Sequence, residues 1–318
     1  MRISLLGGTR FVGAAILEEL VEGGHEVVIL HRGETERDDL PEVDHIHLDR
    51  HDVASLRAAL LDKRPEVLID TCAYTRQDAE AVAEALPLDV RSVVLSSLDT
   101  YRQFHRLRAR LPPEDGVLLD EESPIRTGSE KYLYRGVERP RGAGAQNMDE
   151  YENLDVEEVM STRGSVILRL PIVYGERDPI GREEFVLRQV RAGADRVEIG
   201  SGTLLLTRAW VRDVARAVRL AAETDAADGM ILNIGERKTL PIIGWAKAIL
   251  EAAESDAELV VVPEHELPAE LALTGPLSQH ILVDSSKARR VLGWEDSDPR
   301  AASKASVTWH LANPPAAG

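Results

Sequence analysis

ISLLGGTRFVG, residues 3–13, decides the fold. Ile3 to Leu6 is an apolar run of strand length, Gly7 and Gly8 break it, and helical spacing begins at Val12 and continues to Glu22. A strand that turns on glycines into a helix brings backbone amides close to a pyrophosphate. The helix N-terminus adds about half a positive charge there. The turn residues Gly7, Gly8, Thr9, Arg10, Phe11, Val12 and Gly13 are therefore candidate contacts of a dinucleotide cofactor. Arg10 stands where the middle glycine of a G-x-x-G-x-x-G pattern would be. It gives up backbone freedom and adds a cation within reach of phosphate.

Outward from this turn the same rhythm repeats. Short apolar runs at Glu26 to Leu30, His45 to Leu48, Val67 to Thr71, Ser92 to Ser96 and Ser165 to Leu170 read as strands. Helical patterns lie between them at Val53 to Asp62, at Arg76 to Leu86 with Thr75 as N-cap, and at Met148 to Met160. Parallel neighbours joined by such crossovers predict an α/β, Rossmann-type, doubly wound sheet. The stretch from Tyr101 to Gly144, rich in Pro and charge, reads as long loops over the sheet's carboxyl edge. The expected division is a dinucleotide domain over residues 1–174, to which 208–235 return, and a smaller C-terminal α/β lobe from 175–207 and 236–318. The Pro/Ala/Gly tail from Asn313 reads as frayed.

Composition bounds the function. The 318 residues carry a net charge of −17, which argues against nucleic acid and anionic membranes as partners. Only six of the 38 basic residues are lysines. The lone Cys72 cannot form an internal disulfide, and the first apolar run is too short for a signal peptide or a membrane span. A cytoplasmic protein is the expectation.

The end of the second strand chooses the dinucleotide. NAD sites carry an acid there for the ribose 2′-hydroxyl, whereas this chain has His31 and Arg32. Arg32, with Arg10, suits a 2′-phosphate, so NADP is preferred over NAD. Asp49 and Arg50 follow the third strand, where Asp49 would accept from the adenine amino group or cap the next helix. His45, His47 and His51 invite a metal reading, but no third convergent ligand is spaced to complete a site, so no metal is expected. Cys72, Ala73 and Tyr74 at the end of the fourth strand would line the cofactor pocket. No histidine is placed by any motif to activate Cys72 as a nucleophile.

Taken together, GGTRFVG, LDRHD at Leu48, SSLDTY at Ser96, LRLPIVYGERDP at Leu168, RAWVRDVARAV at Arg208, LNIGE at Leu232 and DSSKARRVLGW at Asp284 resemble the extended or atypical short-chain dehydrogenases/reductases. The group is that of the NAD(P)-dependent epimerases and dehydratases. The GGTRF form is most similar to a sub-branch that includes chloroplast stem-loop-binding proteins. The resemblance implies a Rossmann domain with a substrate lobe, and a Ser/Thr, Tyr and Lys acting on a sugar hydroxyl as hydride passes to nicotinamide. It also places Ser96, Pro171 and Val173 beside the cofactor and makes Arg169 structural. Asp213 is either the family's helix-start acid near the substrate or an N-cap.

Ser97, four residues before Tyr101, matches the family's Ser/Thr. The Tyr-x-x-x-Lys pair is absent, and no lysine lies between Lys131 and Lys238. Tyr151 is the first candidate for the acid/base and Tyr134 the second. In a shifted register Tyr151 would take the lysine's place and Asn147 the tyrosine's. Arg102, Arg106, Arg108 and Arg110 form the most cationic window, and Arg102, Arg135 and Arg139, with Arg141, are candidate contacts of an anionic nucleotide sugar; pairing with the protein's own acids is the alternative. Two functions stay open. One is an enzyme acting on a nucleotide sugar or similar polyol, as a monomer or homodimer. The other is a cofactor-binding regulatory or RNA-binding protein that has lost the chemistry.

Overall fold

The computed structural model describes residues 1–109, 111–136, 148–200, 202–268 and 279–315. Through the first half the chain alternates as read: β1 (Arg2–Leu6), α1 (Phe11–Glu22), β2 (Glu26–His31), β3 (Asp44–His47), α2 (Val53–Lys63), β4 (Val67–Asp70), α3 (Arg76–Ala85) and β5 (Arg91–Ser97). Next come α4 (Arg102–Arg108), β6 (Leu118–Leu119), α5 (Asn153–Ser161), β7 (Val166–Leu170) and β8 (Ile172–Tyr174). The remainder is α6 (Glu184–Arg191), β9 (Arg196–Ile199), β10 (Arg208–Trp210), α7 (Val211–Glu223), β11 (Ile231–Asn233), α8 (Ile242–Ala252), β12 (Glu258–Val261), β13 (Leu282–Val283), α9 (Ser286–Leu292) and α10 (Pro299–Ala312).

Seven strands form the main sheet in the order β11-β7-β5-β4-β1-β2-β3, every pair parallel. The order reverses between β1 and β4, and a doubly wound sheet opens a crevice at the carboxyl end of such strands. Strand alternation feeds two cores. Ile3, Leu5, Val27, Ile29, Ile69 and Leu168 face α1 and α7, while Leu6, Val28, Leu30, Leu68 and Val94 face α2, α3 and α5. Thr75 caps α3 through a capping box with Asp78.

Two expectations change. The arginine-rich segment after Tyr101 is not a loop; it folds as α4, and β6 pairs with β13 to tie the segment to the C-terminal part. Helical period from Met148 also begins later, at Asn153. The Glu152 carboxylate caps α5 by accepting from the Leu154 amide, which leaves Tyr151 in the chain ahead of the helix. A third core, with Phe185, Val197, Trp245, Ile249 and Val307, joins α6, α8, α10 and the small β9/β12 sheet. Among the described residues no helix is long and apolar enough to cross a membrane.

Candidate functional site

At the β1–α1 turn, Gly7 and Gly8 both have φ of +100°. A Cβ on Gly7 would lie 2.2 Å from Thr71 Oγ1, one on Gly8 2.8 Å from Leu5 Cδ2, and one on Gly13 2.7 Å from the Gly8 amide nitrogen. Side chains cannot enter here, so the turn closes tightly on the first turn of α1. Arg10 is the N-cap of α1, with an exposed side chain that makes no capping bond, so the helix start has no internal anion. These residues fit the diphosphate of a dinucleotide on the chemistry of the donors present. Thr9 Oγ1 lies 2.6 Å from Thr35 Oγ1, joining the turn to the β2–β3 connection, while Phe11 and Val12 pack on the core.

His31 ends β2. Arg32 follows it on the surface, 2.9 Å from Glu34. Asp49 is exposed and accepts from the His51 amide at 2.9 Å. Arg50 is buried, with its guanidinium 2.7 Å from Asp70 and 3.2 Å from the Cys72 carbonyl, so it fastens the end of β3 to the end of β4. Burial pushes the Cys72 thiol up to about 11, which keeps it from acting as a nucleophile. Ala73 is buried, and Tyr74 stacks on Tyr151 at 5.9 Å.

The histidine reading is corrected by the fold. His51 turns to Asp78, 2.9 Å away. His45 and His47 instead meet the two donors that strand spacing could not reveal, His31 from the neighbouring strand and Glu36 from the loop. Burial and the two adjacent imidazoles lower the pKa of His31.

The candidate catalytic residues gather where β5 stops. Ser97 Oγ accepts from the Asp99 amide at 3.2 Å, leaving its own hydroxyl hydrogen for another acceptor. The Asp99 carboxylate, buried, accepts from the Tyr151 hydroxyl at 3.2 Å, and Asn153 Nδ2 donates to the Tyr151 oxygen at 2.7 Å. Tyr134 packs edge-to-face with Tyr151 at 5.0 Å, and the Arg108 guanidinium lies over the Tyr134 ring at 4.6 Å. Arg126 holds this cluster from below. Its Nε donates to the Asp99 carbonyl at 2.5 Å, and its two terminal nitrogens each lie 2.7 Å from the Glu152 carboxylate.

The structure brings Ser97, Tyr151 and Tyr134 together, and adds two residues that sequence reading passed over, Asp99 and Asn153. Asp99 was visible as an acid two residues after Ser97, but nothing in the sequence said it would be buried. Its effect on Tyr151 is opposite to a lysine's: burial first, then the Asp99 charge, raise the phenol's pKa well above the ordinary value. Burial also raises the pKa of Asp99 itself, offset in part by Arg126. Lys131 is committed to Asp155. Asn147 lies outside the described residues.

Ser96 donates to Glu157 at 2.6 Å, and Glu157 holds Arg169 through two bonds, so both sit behind the site in a structural network. Pro171 follows β7, and Val173 is buried in the core against α7. Asp213 is no N-cap; it lies inside α7 and binds Ser297, docking the C-terminal part. Arg102 pairs with Asp115 and Arg106 with Glu114, the alternative weighed for this window. Arg135 is exposed, stacked over Tyr132 at 4.5 Å, beside a groove that Arg76 and Asp155 also line. Arg110, Arg139 and Arg141 lie outside the described residues.

Residues 3–92 match the model of the NAD dependent epimerase/dehydratase family. The chain is 24% identical over 314 residues to the chloroplast stem-loop binding protein of 41 kDa b of Arabidopsis thaliana, covering 92% of this chain and 75% of that protein. It is 25% identical over 248 residues to the sterol-4-alpha-carboxylate 3-dehydrogenase, decarboxylating, of Dictyostelium discoideum, covering 74% of this chain and 71% of that one. Among solved structures, the UDP-glucose-4-epimerase of Stenotrophomonas maltophila, with bound NAD and formylated UDP-arabinopyranose, has a TM-score of 0.72 at 17% identity over 98% of both chains. The resemblance carried by the motifs and the Rossmann-type fold are both borne out.

Proposed function

We propose that this chain, an epimerase/dehydratase relative by its N-terminal region and its fold, is an oxidoreductase-type enzyme linked to NAD(P). It would act on a hydroxyl of a nucleotide-activated sugar or similar polyol. The observation that carries the reading is the contact of Tyr151, Asp99 and Asn153 next to Ser97 at the end of β5. A bound nicotinamide dinucleotide would supply a hydride acceptor. Gly7, Gly8, Gly13 and the start of α1 would hold its diphosphate. Ser97 would orient the substrate oxygen.

With no lysine at hand, a free phenolate is disfavoured, and the proton has another route. Tyr151 takes the proton of the substrate hydroxyl while passing its own to the Asp99 carboxylate. A carboxylate whose pKa burial has raised is a better proton acceptor near neutrality than an ordinary one. Asn153 keeps the phenol aligned for both transfers. At the other end of the site, the preference for NADP rests on Arg32 directly after β2. Glu34, its present partner, would yield to a 2′-phosphate.

Three measurements test the reading. NADPH should bind more tightly than NADH, and Arg32→Ala should weaken NADPH by roughly 10–100-fold, the range of a lost charge-assisted hydrogen bond, with little effect on NADH. Nicotinamide reduction on a panel of nucleotide sugars should fall by on the order of 10²–10⁴-fold in Tyr151→Phe. Absence of turnover with every sugar, in a protein that binds the cofactor, would favour the second reading. That reading is a binding protein without chemistry, supported by the missing lysine and the stem-loop-binding relative.

A further inference from the structure

We propose that His31, His45, His47 and Glu36 form a binding site for a divalent transition ion of the zinc class, at the β2–β3 edge of the sheet. Strand register sets His31 directly opposite His47. His45 lies two residues before His47, on the same face of β3. Glu36 enters from the connection between the strands. One donor atom from each side chain lies within 4.8 Å of all the others. Glu36 Oε1 is 3.5 Å from His31 Nε2, 3.6 Å from His45 Nδ1 and 2.5 Å from His47 Nε2, and His31 Nε2 is 2.9 Å from His45 Nδ1.

Tetrahedral zinc with bonds of 2.0–2.2 Å separates neighbouring donors by roughly 3.3–3.5 Å. The distances from Glu36 to His31 and His45 already match, whereas the Glu36–His47 and His31–His45 contacts must open by about 0.5–1 Å and the wider pairs, within 4.8 Å, must draw in, by rotation of exposed side chains. Three imidazoles and one carboxylate select zinc, cobalt, nickel or copper over magnesium or calcium, which take oxygen.

Loading displaces the hydrogens that now lie in the Glu36–His47 and His31–His45 contacts, and at His31 the structure makes the rearrangement explicit. The Gly33 amide donates to His31 Nδ1 at 3.1 Å, so the ring's proton is on Nε2, facing His45. The ion takes that place, the proton leaves Nε2, and a proton on Nδ1 turns the amide away. Gly33, at φ of +77°, is the residue with the freedom to reorient. Once closed, the site would fasten the loop whose Thr35 touches Thr9 of the glycine turn.

The test uses untagged, chelator-stripped protein. Zn²⁺ is titrated in competition with a chromophoric chelator, and Co²⁺ is added separately to read its visible spectrum. One tightly held equivalent of Zn²⁺ and the intense bands of tetrahedral Co²⁺ are expected. His47→Ala and Glu36→Gln alter exposed side chains, and each should weaken Zn²⁺ by on the order of 100-fold or more while leaving the metal-free melting temperature unchanged. Wild-type protein that takes up no Zn²⁺, or that binds it no better than both variants, overturns the proposal.

Discussion

Glu152→Gln replaces one oxygen by an amide nitrogen at a point where every lone pair is in use. The Glu152 side chain is fully buried and accepts four hydrogen bonds. Two come from Arg126 at 2.7 Å each, one from the Tyr132 amide at 2.6 Å and one from the Leu154 amide at 3.0 Å. Each oxygen takes one guanidinium and one backbone donor, so glutamine leaves two buried donors facing an NH2 group. Each unmet donor costs about 1–3 kcal/mol. The Arg126 charge also loses its partner, and breaking a buried pair costs about 3–5 kcal/mol in total. Asp99, 3.8 Å from Arg126, compensates only in part. The expected loss is about 4 kcal/mol, a large share of the roughly 5–15 kcal/mol available to a folded protein. Urea unfolding followed by circular dichroism should show the midpoint falling by about 1–1.5 M at a slope near 3 kcal/mol/M. In a double-mutant cycle, Arg126→Gln and Glu152→Gln should couple by at least about 1 kcal/mol. A midpoint shift below about 0.3 M at unchanged slope, or additive effects, would refute the view that this pair holds the floor of the site.

Other substitutions probe separate parts of the molecule. Gly8→Ala places a Cβ 2.8 Å from Leu5 in a backbone of φ +100°, a strain of about 1–3 kcal/mol, so dinucleotide affinity by fluorescence titration should drop roughly 10–100-fold; equal affinity would remove the turn from the cofactor site. Glu183 is buried beside Ser306 and its pKa is raised to about 8. Between the unfolded value and about 8 the folded state holds a proton that the unfolded chain has lost. Its contribution is therefore fully present at low pH and declines through this window by up to about 1.4 kcal/mol per pH unit. Glu183→Gln should flatten this decline and raise the melting temperature at pH 8 relative to wild type; an unchanged pH profile would count against a neutral Glu183. Asp99→Asn should lower kcat about as far as Tyr151→Phe and remove the acidic limb of the pH–kcat/KM profile. Retention of that limb would assign it to another group.

How much of this was legible beforehand differs between the two ends of the site. The glycine turn, the parallel sheet and the capped start of α3 are local: strand, turn and helix signals sit within a few residues of one another, and chain order dictates their pairing. The segment after Tyr101 misled because its prolines and charges match a loop, whereas α4 is stabilised by partners distant in sequence. Gln103 bonds to Gln279, and Phe104 and Leu107 pack on a small core shared with Ile281 and Val283. No periodicity within the segment reports those contacts.

The sequence by itself determined that a strand turning on glycines into a helix begins the sheet, that Ser97 stands at the end of a strand, and that no lysine lies between Lys131 and Lys238. Tertiary structure decided what stands in the lysine's absence. Asp99, Tyr151 and Asn153 converge because Arg126 and Glu152 join two distant segments in a buried pair, and burial raises the pKa of the phenol and of the Asp99 carboxylate alike. It likewise decided the meaning of the histidines. Alternation along one strand places His45 and His47 on one face, but only the pairing of β2 with β3 and the return of the loop carry His31 and Glu36 to them. Spacing along a chain specifies neighbours within an element. Convergence of polar groups depends on which elements the apolar core brings together, and that is a property of the whole fold.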